Sequence, residues 1–288
     1  MDQSNENSYI DTRPVRISDH LMPFKAFRNI ARHRHLISQL VWREVLARYR
    51  GTQLGFAWSF LNPLLLLVVY TYVFCVVLKA QWPNDGQQSY FSFALTLFVG
   101  LTAFNVFTEI LMRAPTLVLS CPNYVKRVVF PLEVLVVIIL CSALVTFATS
   151  FITVLIAEVV LQGVPSWTIV LFPITLLPIL LLALGFGWLL ASIGVFLRDI
   201  GQSVGLIVQV LSFTTPIFYP VTSIPRSLRS VMLYNPLATS VEAFRCVMLW
   251  GKQPNWVELG FAIAFGLVCC QLGYAFFMCT KKAFADVI

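Results

Sequence analysis

The sequence predicts an all-α membrane protein: six transmembrane helices, an N-terminal amphipathic interfacial helix ahead of them, and short re-entrant helices before the last span. Three observations predict it. Of the 288 residues, 58% are hydrophobic and only 11% are charged, whereas soluble domains are about 45–50% apolar and roughly 25% charged. Nine Lys/Arg and five Asp/Glu fall within residues 1–50, which leaves the rest of the chain nearly free of charge. The few charges that remain divide it into apolar stretches of spanning length. This composition excludes an ordinary soluble enzyme, a disordered chain and a secreted disulfide scaffold.

Residues 1–23 are polar and read as a flexible cytoplasmic tail. Residues 24–50 form the interface helix. Phe24, Phe27, Ile30, Ile37, Leu40, Val41 and Val45 recur at helical spacing, with Lys25, Arg28, Arg32, Arg34, Arg43, Arg48 and Arg50 among them. A basic amphipathic helix lies in the headgroup plane with its cations toward anionic lipid. A helix packed on another protein is the other reading, and a cytosolic partner docked beneath it satisfies both.

Residues 51–282 form the transmembrane domain. A spanning helix needs about 20 mostly apolar residues. The uncharged gaps place spans at about 52–78, 88–112, 133–158, 168–197, 200–219 and 257–280. Gly163, Val164, Pro165 and Ser166 break the chain between the third and fourth. Six spans put both termini on one side. With that side cytoplasmic, 15 Lys/Arg lie inside and 5 outside, as the positive-inside rule requires. The polar start shows no signal-peptide core, so the first span is expected to be an uncleaved anchor.

Two connecting segments stand out. Residues 120–131 are short, basic and cytoplasmic, with a proline near each end, and suit a small helix that passes force from a partner. Residues 216–252 contain Pro216, Pro220, Pro225 and Pro236 and are too polar for a full span. The uncharged run between Arg229 and Glu242 suits a short re-entrant helix pair. Irregular backbone at membrane depth must be buried in protein or line a water-filled path.

Glu109 and Arg113 are spaced to pair on one helix face. They read either as a latch or as a self-neutralised pair. Glu133 and Glu158 bracket the third span and are expected at its interfaces. Arg198 and Asp199 read as a tight turn with local pairing. The seven cysteines show no Cys-x-x-Cys and no His/Cys cluster, so they are expected to be free packing residues, with no metal site. Nothing in the sequence calls for a nucleic-acid partner.

No series of ionisable residues crosses the spans, which disfavours an ion-driven carrier. There is no Gly-x-x-x-x-Gly-Lys-Ser/Thr, so an energy source would be an ATPase on a separate chain. Aromatics make up 14% of the residues. Interfacial Trp and Tyr account for many of them. Tyr70, however, falls in mid-span, where a phenol needs a polar neighbour or water. Tyr70, Phe74, Phe213 and Phe218 are therefore candidates for a channel wall on which the apolar faces of sugars slide.

Arg48-Tyr49-Arg50-Gly51, followed by Leu54-Gly55-Phe56-Ala57-Trp58-Ser59-Phe60-Leu61-Asn62-Pro63-Leu64, resembles the start of the first span in type-2 ATP-binding-cassette permeases that export polysaccharides: O-antigen, capsule and teichoic acid. Asn123-Tyr124-Val125-Lys126-Arg127-Val128-Val129-Phe130-Pro131 is similar to the coupling segment of that family. Arg198-Asp199-Ile200 resembles its fourth-to-fifth connection. Pro216-Ile217-Phe218-Tyr219-Pro220, Ile224-Pro225, Tyr234-Asn235-Pro236-Leu237 and Phe244-Arg245 resemble its extracytoplasmic gate region. The resemblance covers about residues 24–282.

The resemblance implies two copies of the chain around a pore in the bacterial inner membrane. It also implies an ATPase subunit, carrying ATP and Mg, docked through Pro122, Asn123, Tyr124, Val125, Lys126 and Arg127. A lipid-linked polysaccharide, O-antigen foremost, would pass between the first and fifth spans. Pro220, Pro225, Asn235, Pro236 and Arg245 would form the outer gate, and Lys25, Arg28, Arg32 and Arg43 would meet membrane lipids. Two other classes compete. The same architecture can carry capsule, teichoic acid, a lipid or a drug. A membrane-embedded transferase would need clustered acids or histidines, and Glu109, Glu133 and Glu158 are scattered.

Overall fold

The computed structural model describes residues 31–51, 53–77, 90–126, 130–164, 166–225 and 235–287. Residues 1–23, Lys25, Arg28 and Arg127 lie outside this set. Among the described residues the ordered elements are all helical: α1 (Arg34–Tyr49), α2 (Trp58–Tyr70), α3 (Tyr90–Leu117), α4 (Pro122–Lys126), α5 (Val134–Gln162), α6 (Phe172–Phe196), α7 (Ile200–Thr214), α8 (Pro236–Met248), α9 (Trp256–Thr280) and α10 (Phe284–Val287). A π-helical turn, Thr71–Val77, prolongs α2, and a 3-10 turn, Trp167–Leu171, precedes α6.

Among the described residues four helical stretches are long and apolar enough to cross a membrane: Ser92–Leu117, Val134–Val160, Trp167–Phe196 and Trp256–Ala283. Trp58–Phe74 and Ile200–Thr214 are apolar but shorter. The expected fifth span stops early for a local reason. Pro216 disfavours helical backbone at the residue before it, and Thr215 is extended at ψ 130°. The expected second span runs further than charge-counting allowed. Glu109 and Arg113 do not end α3, because partners on α1 neutralise them. α5 ends at Gly163, whose φ of 91° an L side chain rarely adopts.

α6 is the centre of the bundle and packs on α3, α5, α7, α8 and α9. Its closest neighbour is α9. A Cβ on Gly273 would sit 2.7 Å from the carbonyl carbon of Gly185, and one on Gly185 would sit 2.6 Å from that of Cys269. Small residues at a crossing let two backbones touch, which substitutes for hydrophobic drive inside lipid. The end of the bundle that holds Glu133 and Lys281 is tied by polar contacts. Trp188 Nε1 donates to the Glu133 carbonyl at 2.9 Å, Lys281 Nζ pairs with Glu133 Oε2 at 2.7 Å, and the Ser192 and Thr280 hydroxyls bond to each other.

Glu133 caps the start of α5 and Glu158 lies near its end, so the two bracket the third span, and both are buried against protein. Glu133 is drawn in by Lys281, the residue that ends α9. Arg198 and Asp199 form the expected tight turn, with Ile200 N bonded to Leu197 O at 3.3 Å. Cys246 lies within α8. The thiols of Cys121, Cys141, Cys246, Cys269, Cys270 and Cys279 are free.

Among the described residues α8 is the one short helix that is buried along most of its length. Asn235 caps it, accepting from Leu237 N at 3.0 Å, and Pro236 opens it. Its first residues share a cavity of about 450 Å³ with Phe107, Leu182, Phe186 and Phe265, each near the middle of α3, α6 or α9. Its last turn meets the opposite level of the bundle, where Thr168 Oγ1 donates to Val247 O at 2.8 Å.

Candidate functional site

Three clusters carry the sequence-predicted site residues. The first joins α2 to the chain that follows α7. Tyr70 and Phe74 lie with ring centroids 6.4 Å apart, Phe74 stacks on Phe218 at 6.5 Å, and Phe218 meets Phe213 at 5.8 Å. The four proposed wall residues therefore form one continuous aromatic ladder. Phe93 of α3 backs it, 5.7 Å from Phe74. Phe213 is 61% exposed, so its ring is free on one side. Tyr219 holds the turn beneath, donating its hydroxyl to Phe213 O at 2.6 Å.

The second cluster centres on Arg245, which is fully buried. Its Nε donates to Thr96 O at 3.1 Å, Nη1 to Pro216 O at 2.8 Å and Nη2 to Ile217 O at 2.7 Å. Glu242, one turn earlier, pairs with Nη1 at 3.4 Å. Only a planar fork with several fixed donors can serve three carbonyls on two separate segments. Room for the fork comes from Gly100, where a Cβ would lie 2.9 Å from Arg245 Cζ. The sequence counted Arg245 as an outer-loop cation. The structure makes it a staple between α8, α3 and the Pro216 turn, because carbonyls freed by that turn need donors. Of the other predicted gate residues, Asn235 and Pro236 start α8, Pro220 precedes a 3-10 turn, and Pro225 is exposed.

The third cluster lies at the opposite level and is built on α1. Ile37 and Val45 are buried and Leu40 and Val41 half-buried, so the apolar stripe of α1 packs on α5. Its polar face reaches α3. Arg48 pairs with Glu109, Glu44 pairs with Arg113, and Arg113 also lies 3.5 Å from Glu109. Arg48 donates further to Thr146 Oγ1 at 2.7 Å and Ser142 Oγ at 3.2 Å on α5. Arg43 Nη2 donates to the Tyr124 hydroxyl at 2.9 Å, and Tyr124 stacks on Phe130 at 4.5 Å. The interface helix is thus bonded to the small helix α4. Pro122 and Asn123 of that helix are exposed, as is Arg32 beside the start of α1.

Sequence reasoning found the Glu109–Arg113 pair but missed its partners. A signal was present: Glu44 and Arg48 have the same i, i+4 spacing as Glu109 and Arg113, so two helices laid side by side can match acid to base twice. The Gly100 slot had no such signal, since it is defined by a residue 145 positions away.

A profile of the ABC-2 type transporter family matches residues 35–249. The chain is similar to the O-antigen export system permease protein RfbA of Myxococcus xanthus, 30% identical over 263 residues, which cover 91% of this chain and 98% of the relative. A protein of the same name from Klebsiella pneumoniae is 26% identical, over 85% of this chain and 92% of its own length. The polysialic acid transport protein KpsM of Escherichia coli is 24% identical, over 86% and 94%.

Proposed function

Since the chain belongs to the ABC-2 type transporter family, we propose that it is the membrane permease of an ATP-driven exporter that moves a lipid-linked polysaccharide, O-antigen in kind, out of the cytoplasm. The aromatic ladder carries this reading. Tyr70, Phe74, Phe218 and Phe213 offer a continuous run of π faces, and sugar C–H faces slide along such a surface without being held. Relatives named for O-antigen export, at 30% and 26% identity, support the choice of O-antigen, and capsule is the alternative, as in the relative named for polysialic acid at 24%.

The remaining parts follow from this role. Two copies related by a two-fold axis enclose a path that one bundle is too small to hold. α2 and α7 line it. α2 with its π turn reaches just under 30 Å at 1.5 Å per residue, so with α7 the chain has six spans, both termini being in the cytoplasm by the 15-to-5 split of basic residues. α8, roughly 20 Å long, dips from the outer face to mid-membrane as a re-entrant helix and forms the gate with the Pro216 turn. An ATPase subunit that binds ATP and Mg docks against α4. Its movement reaches α3 through α1. An apolar cavity of about 610 Å³ between α2 and α5 suits the lipid tail of the cargo.

Deleting the gene should abolish long surface glycan, and a plasmid copy should restore it. Normal glycan in the deletion strain would end the exporter reading. In the complemented strain, Tyr70→Ala and Phe218→Ala should each lower glycan output by roughly three- to tenfold, the scale of one lost stacking contact of about 1 kcal/mol. Full output from both variants would remove the wall assignment and leave the family membership intact.

A further inference from the structure

Among the described residues, two amide side chains on apolar helices have no hydrogen-bond partner. Asn105 lies at the middle of the apolar helix Ser92–Leu117, and Gln209 lies on α7. Both are exposed, and among the described residues neither side chain hydrogen-bonds to protein. They line one groove of about 350 Å³ between α3 and α7, together with Thr108, Glu109, Gly205 and Ser212. The Thr108 and Ser212 hydroxyls donate to the Asn105 and Gln209 carbonyls at 3.1 and 2.7 Å, so what they turn outward is lone pairs.

An amide facing hydrocarbon loses the bonds it makes in water and gains none. Two in one groove at mid-span therefore mark a face that meets something polar. The groove has two distinct ends. Glu109, held by Arg48, closes one. Ser212 at the other precedes Phe213, the first ring of the aromatic ladder. The groove thus leads into the wall already described.

Its chemistry selects an occupant. Each amide presents two N–H donors and one acceptor. A hydroxyl both donates and accepts, so adjacent hydroxyls on a sugar ring can satisfy both halves of an amide, whereas a phosphate or a cation uses one half and strands the other. We propose that Asn105 and Gln209, with Thr108 and Ser212, form a hydroxyl-binding subsite that orients successive sugar rings before they reach the aromatic ladder. This rests on the exporter reading above. The ladder supplies sliding without register, and the amides supply a preference among hydroxyl arrangements.

The test uses the full chain with its ATPase partner in the native host. Asn105→Leu combined with Gln209→Leu should cut surface glycan by roughly tenfold, the equivalent of one net hydrogen bond. The amount of protein in the membrane and the yield of the two-copy complex should be unchanged. Serine at both positions should recover a large part of the export. Glycan at the unaltered level in the leucine pair overturns the proposal. Loss of the two-copy complex overturns it too, and assigns the amides to the contact between copies. Should the leucine pair not reach the membrane, alanine at both positions carries the test with the same outcomes. Failure of the exporter reading is a separate result, seen when the unaltered chain itself moves no glycan.

Discussion

Replacing Arg245 by alanine is expected to cost most of the protein's stability. Three backbone carbonyls, those of Thr96, Pro216 and Ile217, would lose their donors inside the bundle. A buried polar group left unsatisfied costs about 1–3 kcal/mol, so for three carbonyls the loss is on the order of 3–9 kcal/mol, against a total stability of about 5–15 kcal/mol for a typical domain. Arg245→Lys should recover only part, because an ammonium cannot present the flat fork that reaches both segments at once. Gly100 supplies the control. Gly100→Ala should be strongly destabilising beside Arg245, whose Cζ lies 2.9 Å from the added methyl, and nearly neutral in the Arg245→Leu background. The readout is the thermal midpoint of the purified protein in detergent, taken as a double-mutant cycle. Equal effects of Gly100→Ala in the two backgrounds would refute the staple.

The contrast between Arg245 and the spans shows what a sequence can disclose. Four spans were legible from uncharged gaps alone, because length and apolarity are local properties and the bilayer demands both. Where the helices end was set by interactions that no gap records. α7 stops at Thr214 because of Pro216, a cue present in the sequence but outweighed by the apolar run through Phe218. α3 continues through Glu109 and Arg113 because a helix more than 60 residues away supplies counter-charges. Arg245 was tallied as a loop cation since its burial depends on Thr96, Pro216 and Gly100, which are distant in the chain. The four aromatics fared better. Each was chosen for its own position, Tyr70 for sitting in mid-span, and the fold brings all four into one line. Of the stretch expected to hold a re-entrant pair, α8 is a short buried helix, and residues 226–234 lie outside the described set.

Arg48→Glu is expected to break the transmission between the ATPase and the membrane path while leaving the bundle folded. The four charges Glu44, Arg48, Glu109 and Arg113 are each partly exposed, their side chains retaining 22–36% of full accessibility. Pairs of this kind contribute only about 0.2–1 kcal/mol apiece, so reversal of one charge will not unfold a helix whose Ile37 and Val45 are buried on α5. What reversal removes is the tie between α1 and α3. Three acids would then face a single base, Arg113, and like charges at i, i+4 along α1 would repel. On the proposed mechanism α1 carries the movement of α4 to α3, through Arg43 and Tyr124 at one end and Arg48 and Glu109 at the other. Arg48→Glu should therefore lower glycan export by at least roughly tenfold, with protein level and thermal midpoint close to those of the unaltered chain. ATP hydrolysis by the assembled complex should persist without matching export. Combining Arg48→Glu with Glu109→Arg sets two acids on α1 against two bases on α3, and the Ser142 and Thr146 hydroxyls can turn to donate to the new carboxylate. Export should return to within about threefold of the unaltered chain. A double variant no better than Arg48→Glu alone would mean that the charges merely tolerate one another at the membrane edge, and that α1 moves α3 by some other contact or not at all.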